Sequence, residues 1–293
     1  MAEPTAVVDV ELEGFPLYRR GKVRDTFDLD ERLLMVATDR ISAFDCVLPD
    51  PVPGKGQVLT HMSRSFFEQS RDLVPNHLLE DDLSVLPKPV WERLSGRFMF
   101  CRKAERIDVE CVVRARLAGS GWEEYRQQGT LAQEELPPSL EFGAELPELR
   151  FTPAVKSDTG HDRNISRAEL ADLVGGQLAH ELEEASLLLF RFAQELCRRA
   201  GFSLVDTKFE FGRIDGRLTL IDEALTPDSS RMWLIGDPIS PSASTGFDKQ
   251  LVRDYLLAIG WDRQPPAPHL PAELVSEVQR RYWEIERRIT GSS

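Results

Sequence analysis

The sequence predicts an α+β fold, with strands crowded into its first third and helices gathered toward its end. Three patterns lead there. Short apolar runs broken by turn residues fill Leu17 to Ala37, a helical repeat runs from Gln177 to Ala200, and a second amphipathic repeat runs from Pro271 to Ile289. At 293 residues the chain can bury a sizeable core and divide into two lobes.

Leu17-Tyr18 leads into Arg19-Arg20-Gly21-Lys22-Val23-Arg24-Asp25, and the polar turn Asp28 to Arg32 precedes the apolar run Leu33 to Ala37, which signals a hairpin. Pro49, Pro51, Pro53, Gly54 and Gly56 mark a loop. Leu59, Met62, Phe66 and Phe67 then recur at helical spacing. Phe98 to Cys101 and Val109 to Val113 read as strands, and Ser120 to Gln128 as a short helix opened by a Ser120–Glu123 capping box. A second capping box, Ser166 with Glu169, opens a helix that Gly175-Gly176 ends. The longest helix places Leu178, Leu182, Ala185, Leu189, Phe192 and Leu196 on one face, and Gly201 closes it. Two strands joined by Arg213-Ile214-Asp215-Gly216 follow, then a helix from Asp248 to Ile259 stopped by Gly260. The proline-rich Gln264 to Pro268 links it to the final helix, with Val275, Val278, Tyr282, Ile285 and Ile289 inward.

Composition narrows the function. A net charge of -13 argues against a nucleic-acid partner, because backbone phosphates demand a basic surface. A phosphorylated small molecule remains compatible, provided its pocket is locally basic. No apolar run is long enough to cross a bilayer, and the acidic Met1 to Gly14 segment lacks the order of a secretory signal, so the cytoplasm is expected. Cys46, Cys101, Cys111 and Cys197 show no CxxC and read as reduced structural thiols. The oligomeric state stays open, with a monomer favoured.

The most informative segment runs Leu204-Val205-Asp206-Thr207-Lys208-Phe209-Glu210-Phe211-Gly212. In a strand, alternation puts Asp206, Lys208 and Glu210 on one face, with Val205, Thr207, Phe209 and Phe211 on the other. The returning strand Leu218 to Ile221 brings Asp222-Glu223 alongside, so Glu210 and Asp222 form a carboxylate pair suited to magnesium, with Lys208 as a point charge. A solvated sheet face competes with this reading. Glu110 to Gly121 reads as strand, tight turn and helix. The free N–H groups at such a helix start make an anion site, and Arg114 is placed to grip a phosphate. Gly21-Lys22-Val23-Arg24 suits a lid over nucleotide phosphates, although the chain has no P-loop and an exposed hairpin explains it equally. Asp39 to Asp45 is a polar turn, and the loop with Lys156, Ser157, His161, Asp162 and Asn164 suits a substrate flap.

Taken together, these motifs resemble the phosphoribosylaminoimidazole-succinocarboxamide synthase (SAICAR synthetase) family. The likeness rests on Val109 to Ser120, Val205 to Gly212, Gly21-Lys22-Val23-Arg24, Ser42-Ala43-Phe44-Asp45, Asp222-Glu223 and Pro227-Asp228-Ser229-Ser230-Arg231, and covers Leu17 to Tyr255. Ile107-Asp108-Val109 stands where many members carry a proline, and Ala224-Leu225-Thr226-Pro227 resembles the longer fungal form.

The resemblance implies a small antiparallel β-rich lobe (residues 1–105) over a larger ATP-grasp-like α+β lobe (106–293), with nucleotide between them. It implies a ligase joining L-aspartate to 4-carboxy-5-aminoimidazole ribotide (CAIR) with ATP and Mg2+. Under that reading Glu210 and Asp222 hold magnesium, and Lys22 and Arg24 cover the nucleotide phosphates. Arg114, Ser120 and Arg231 hold the ribotide phosphate, Lys208 and Asp228 serve the reacting end, and Ser42 and Asp45 contact substrate. A kinase would show His-Arg-Asp and Asp-Phe-Gly, and neither occurs. A non-catalytic ATP sensor would bind nucleotide without aspartate-dependent phosphate release, and a scaffold would bind none.

Overall fold

Two antiparallel sheets organise the computed structural model, which describes residues 6–156, 162–237, 239, 246–247 and 249–291. The small sheet begins with β1 (Leu17–Arg20), β2 (Arg24–Leu29) and β3 (Arg32–Ala37). The stubs β4 (Ser42–Ala43) and β5 (Cys46–Val47) make a tight bend before helix α1 (Lys55–Ser70), and after α2 (Lys88–Arg93) strand β6 (Phe98–Arg102) returns to pair with β3. Alternation along β3 feeds both faces. Leu34 and Val36 join a cluster with Phe27, Leu94 and Phe100, while Met35 and Ala37 point into the main core.

The large sheet starts at β7 (Glu105–Arg116). Helix α3 (Gly119–Gln128) and the stubs β8 (Thr130–Leu131) and β9 (Glu134–Glu135) follow, then β10 (Glu145–Lys156) and β11 (Asp162–Asn164). Helices α4 (Arg167–Val174) and α5 (Gly176–Arg199) precede β12 (Phe202–Ile214), β13 (Arg217–Ile221) and β14 (Ser230–Leu234), and α6 (Gln250–Ala258) and α7 (Ala272–Thr290) finish the chain. The order is β11-β10-β7-β12-β13, with β14 also pairing β12. Helix α5 packs on the back of β7, β10 and β12, burying Leu182, Leu189 and Phe190, and α7 packs against α1. One hydrophobic core runs across both sheets, which change over between Arg102 and Glu105.

Local chemistry explains most boundaries. The Ser166–Glu169 capping box opens α4, and Gly201 lies at φ +84 after α5. Asp215 and Gly216 both have positive φ between paired Ile214 and Arg217, the two-residue turn that suits the strand twist. The expected Ser120–Glu123 box does not form. Ala118 is the N-cap of α3, the Ser120 hydroxyl accepts from Arg114, and Glu123 accepts from Arg126, because a buried guanidinium outcompetes a local amide for that hydroxyl.

One register detail escaped alternation. Phe202, Leu204, Phe209 and Phe211 all enter the main core although their numbers change parity, which requires an extra residue in β12. The pairing slips between Leu204 and Asp206, and Val205 leaves the main core to pack with Ala118 and Trp233. His161, Ser157 and Asp248, and the side chains of Lys156 and Asp162, lie outside the described residues.

Candidate active site

The front face of the large sheet, opposite α5, carries the polar residues. Strand pairing sets Asp206 opposite Arg114, Lys208 opposite Val112 and Glu210 opposite Glu110, so the whole polar set projects to one side. Behind it, Cys111, Val113, Phe209 and Phe211 are fully buried.

One end of this face is a cationic socket. Arg114 donates to Asp206 at 3.1 Å, to the Thr152 hydroxyl at 3.0 Å and to the Ser120 hydroxyl at 3.0 Å. Arg231 donates to both Asp206 oxygens at 2.8–2.9 Å. Helix α3 aims its N-terminus here, and Gly119 at φ +55 leaves room for the Arg231 guanidinium, which a Cβ would strike. Burial pulls Arg114 below its ordinary pKa even against the charge of Asp206. Arg114, Ser120 and Arg231, separated by up to 117 positions, therefore lie together at this end of the face.

At the other end Lys208 donates to Glu210 at 2.5 Å and to Glu110 at 3.3 Å. Burial alone would lower the Lys208 pKa, but the carboxylates of Glu210 and Glu110 outweigh it and hold it above the ordinary value. Burial raises Glu210, and Lys208 more than reverses that, leaving it below its usual range. Ile221 pairs with Glu210, so Asp222 follows immediately beside it in a left-handed conformation at φ +66. Arg24 grips both Asp222 oxygens at 2.7 Å and reaches Glu223 at 2.6 Å. The register changes here, because Glu210 pairs Glu110 but Gly212 pairs Arg106. Beside that irregularity opens a cavity of about 800 Å³ lined by Ile107, Glu110, Ala154, Leu173, Leu178 and Glu210.

The turn Gly21–Arg24 borders the same end. Gly21 donates its N–H to the Arg24 carbonyl at 2.7 Å. Arg40 clamps the turn, donating to the carbonyls of Gly21 and Lys22 at 3.0 Å each and to Asp25 at 2.8 Å. Lys22 pairs instead with Asp45, which sits at φ +64, while Ser42 is buried in the β4–β5 bend. Lys22 and Arg24 thus point to different carboxylates rather than forming one basic face.

The Asp228 carboxylate has a different set of partners from the Lys208 ammonium. Its carboxylate is 2% exposed and accepts from Lys55 at 2.8 Å, and it meets Lys249 at 3.0 Å and the Tyr282 hydroxyl at 2.9 Å. Burial would raise Asp228, yet the two ammonium groups drive it well below the carboxylate range. Lys55, Lys249 and Thr152 were not singled out from the sequence, and Glu110, Glu223 and Tyr282 were named there without a role in the site. Glu110 shares strand parity with Arg114 and was findable. Lys55 carried a subtler signal, a lysine opening a helix where the dipole favours anions.

Among the described residues no helix is long and apolar enough to cross a membrane, and no cluster of three or more His, Cys, Asp or Glu side chains stands ready to hold a metal. All four cysteines are free.

Known proteins resemble this chain over nearly its whole length. The sequence profile described as SAICAR synthetase matches residues 17–268. A phosphoribosylaminoimidazole-succinocarboxamide synthase from Thermodesulfovibrio yellowstonii is 45% identical over 97% of this chain and 99% of its own. The structure is similar to a SAICAR synthase from Saccharomyces cerevisiae complexed with SAICAR, at TM-score 0.89 and 35% identity over 98% of this chain and 99% of the other. It shares its fold with a SAICAR synthetase (Type-2) in complex with ADP, at TM-score 0.70 and 24% identity over 95% and 99%. The chain belongs to the SAICAR synthetase family, the ligases that make phosphoribosylaminoimidazole-succinocarboxamide in purine biosynthesis.

Proposed function

We propose that this chain condenses L-aspartate with CAIR through an acyl phosphate, with the ribotide lying along the front of β12. The observation that carries this reading is the division of that face into a cationic socket at Arg114, Ser120 and Arg231 and a carboxylate end at Glu210 and Asp222, with Lys208 between them. From Asp206 to Glu210 the strand advances about 13 Å, room for a ligand that carries phosphate at one end and a carboxylate at the other.

The ribotide phosphate sits in the socket. Two guanidiniums already fixed by Asp206 and the N–H groups of α3 meet it without reorganising. A carboxylate oxygen of CAIR attacks the γ-phosphorus of ATP, the bond to the β-phosphate oxygen breaks, and ADP leaves. The aspartate amine then adds to the acyl carbon, phosphate departs with its bridging oxygen, and the amine gives up a proton. Lys208, kept protonated by its two glutamates, offsets the negative charge at the reacting carboxylate. Lys22 exchanges Asp45 for a nucleotide phosphate on the open side, and Arg24 holds the Asp222 end; Ser42 and Asp45 shape the substrate entrance.

The donor set fits magnesium: Glu210 and Asp222 offer only oxygen, and two carboxylates completed by phosphates and waters are its usual protein complement. When bound there, the ion neutralises charge on the transferring phosphoryl group. Residues 1–105 provide the lid and residues 106–293 the socket and carboxylates. We take the monomer as the working unit and the cytoplasm as its compartment.

The test is phosphate release from ATP with magnesium and CAIR, with and without L-aspartate. Release that needs both co-substrates, with succinocarboxamide formed in step, supports the ligase. A folded protein that binds ATP and releases no phosphate under any combination would sink it and favour the sensor.

A further inference from the structure

Three successive carbonyls of the Gly21–Arg24 turn are bonded to the segment from Thr38 to Arg40. Arg40 takes two of them, donating from Nη2 to the Gly21 carbonyl and from Nε to the Lys22 carbonyl at 3.0 Å each. Thr38 takes the third, giving both its N–H and its hydroxyl to the Val23 carbonyl at 2.9 Å. The rest of the Arg40 guanidinium reaches the Val8 carbonyl at 2.5 Å and the two oxygens of Asp25 at 2.8 and 3.2 Å, so all three of its nitrogens are engaged. Asp25 is fully buried.

The clamp stands on a fixed base. Asp39, its neighbour in the chain, is fully buried and accepts from the Gly56 N–H at 2.9 Å, from Arg97 at 2.9 Å and from the Val7 N–H at 2.8 Å. In front of the clamp the backbone has a definite direction, because a trans peptide carries its C=O and N–H in opposite senses. The peptide planes that turn the Gly21 and Lys22 carbonyls toward Arg40 therefore turn the N–H groups of Lys22 and Val23 away from it. Successive amides that face one side make a cradle for an anion, and the half-exposed Lys22 ammonium rises from the same turn.

We propose that Arg40 is a positioning residue for this turn: by holding two carbonyls from behind, it aims the Lys22 and Val23 N–H groups at the nucleotide phosphates without touching them. The inference rests on the reading of the turn as the cover over those phosphates. A hydrogen bond to a charged group is worth roughly 10–100-fold in affinity, and donors already held in place meet the ligand without an ordering cost.

The experiment titrates the full chain with magnesium–ADP and with adenosine by calorimetry, beside the CAIR KM and the melting temperature. Arg40→Lys keeps a cation beside Asp25 but loses the planar fork that spans two carbonyls. ADP should then bind about tenfold more weakly, while adenosine affinity and the CAIR KM hold. Unchanged ADP affinity with a lower melting temperature would confine Arg40 to stability and overturn the proposal. An equal loss for ADP and adenosine would overturn it too, since the phosphates would not be what the clamp serves. Lys22→Ala tests the underlying reading. Weak ADP binding there with normal binding in Arg40→Lys keeps the turn on the phosphates and removes the clamp. Normal binding in both variants takes the turn off the phosphates, and this inference with it. Normal binding in Lys22→Ala alone leaves the backbone N–H groups as the contact, as the proposal requires. If Arg40→Lys does not fold, amide exchange in the wild-type chain decides. ADP should slow exchange at Lys22 and Val23 where adenosine does not, and no protection of either amide by ADP overturns the proposal.

Discussion

Replacing Asp228 by asparagine separates a structural carboxylate from a catalytic one. The side chain keeps its shape, so the perturbation is the loss of one charge between Lys55, whose side chain is fully buried, and Lys249, which is 10% exposed. Removing one member of a buried ion pair typically costs about 3–5 kcal/mol, because the partner stays buried and uncompensated. Here two ammonium groups are stranded, so the upper half of that range is expected, a fall of roughly 8–10 °C in melting temperature for a chain of this size. The pH dependence has a definite sign. The folded-state pKa of Asp228 is depressed, so its contribution is present above the ordinary aspartate value of about 4 and is lost as pH falls through the folded value. The stability gap between wild type and Asp228→Asn, measured by urea unfolding, should be widest at neutral pH and close in acid. A variant of unchanged stability but with kcat down about a hundredfold would refute this reasoning and restore Asp228 to the reacting end.

Glu210→Gln should lower turnover by at least about a hundredfold at limiting magnesium while the melting curve stays close to wild type, and an unaltered rate would reject its role. Arg114→Ala should raise the CAIR KM by roughly 10–100-fold through loss of a charged hydrogen bond, with the ATP KM unaffected; steady-state saturation curves decide this. Gly119→Ala adds a Cβ against Arg231 at a left-handed position, so it should raise the CAIR KM and cost about 1 kcal/mol of stability. Normal CAIR saturation would show that Arg231 stands clear of the phosphate.

What the sequence disclosed follows the range over which its signals act. Strand parity set Lys208 and Glu210 on one face, and the Asp215-Gly216 turn fixed which residues return beside them, because both are local rules. The Val205 bulge was hidden, since its only trace is a shift of parity that the pairing with β14 imposes from outside. Long-range pairs were hidden as well: Arg24 meets Asp222 across 198 positions and Lys55 meets Asp228 across 173. Ser120 illustrates the opposite failure. Its local capping signal was legible, but Arg114 claimed the same oxygen. The resemblance to a known family supplied the convergence of Arg114, Ser120 and Arg231 that no periodicity contains.

Tyr282 has a consequence for how the chain comes into being. Synthesis runs from the amino end at about 5–20 residues per second, and early segments begin to fold as they emerge. Lys55 appears early, Asp228 follows far later, and the hydroxyl that completes their cluster arrives only with α7. Through that interval a lysine that the finished molecule fully buries must stay hydrated, which keeps α1 from settling against its final neighbours. Strands β1 to β3 can pair at once from local contacts, while the Lys55–Asp228 cluster waits for the last helix. A ribosome-bound chain lacking α7 is therefore expected to carry a formed small sheet and no working ligase.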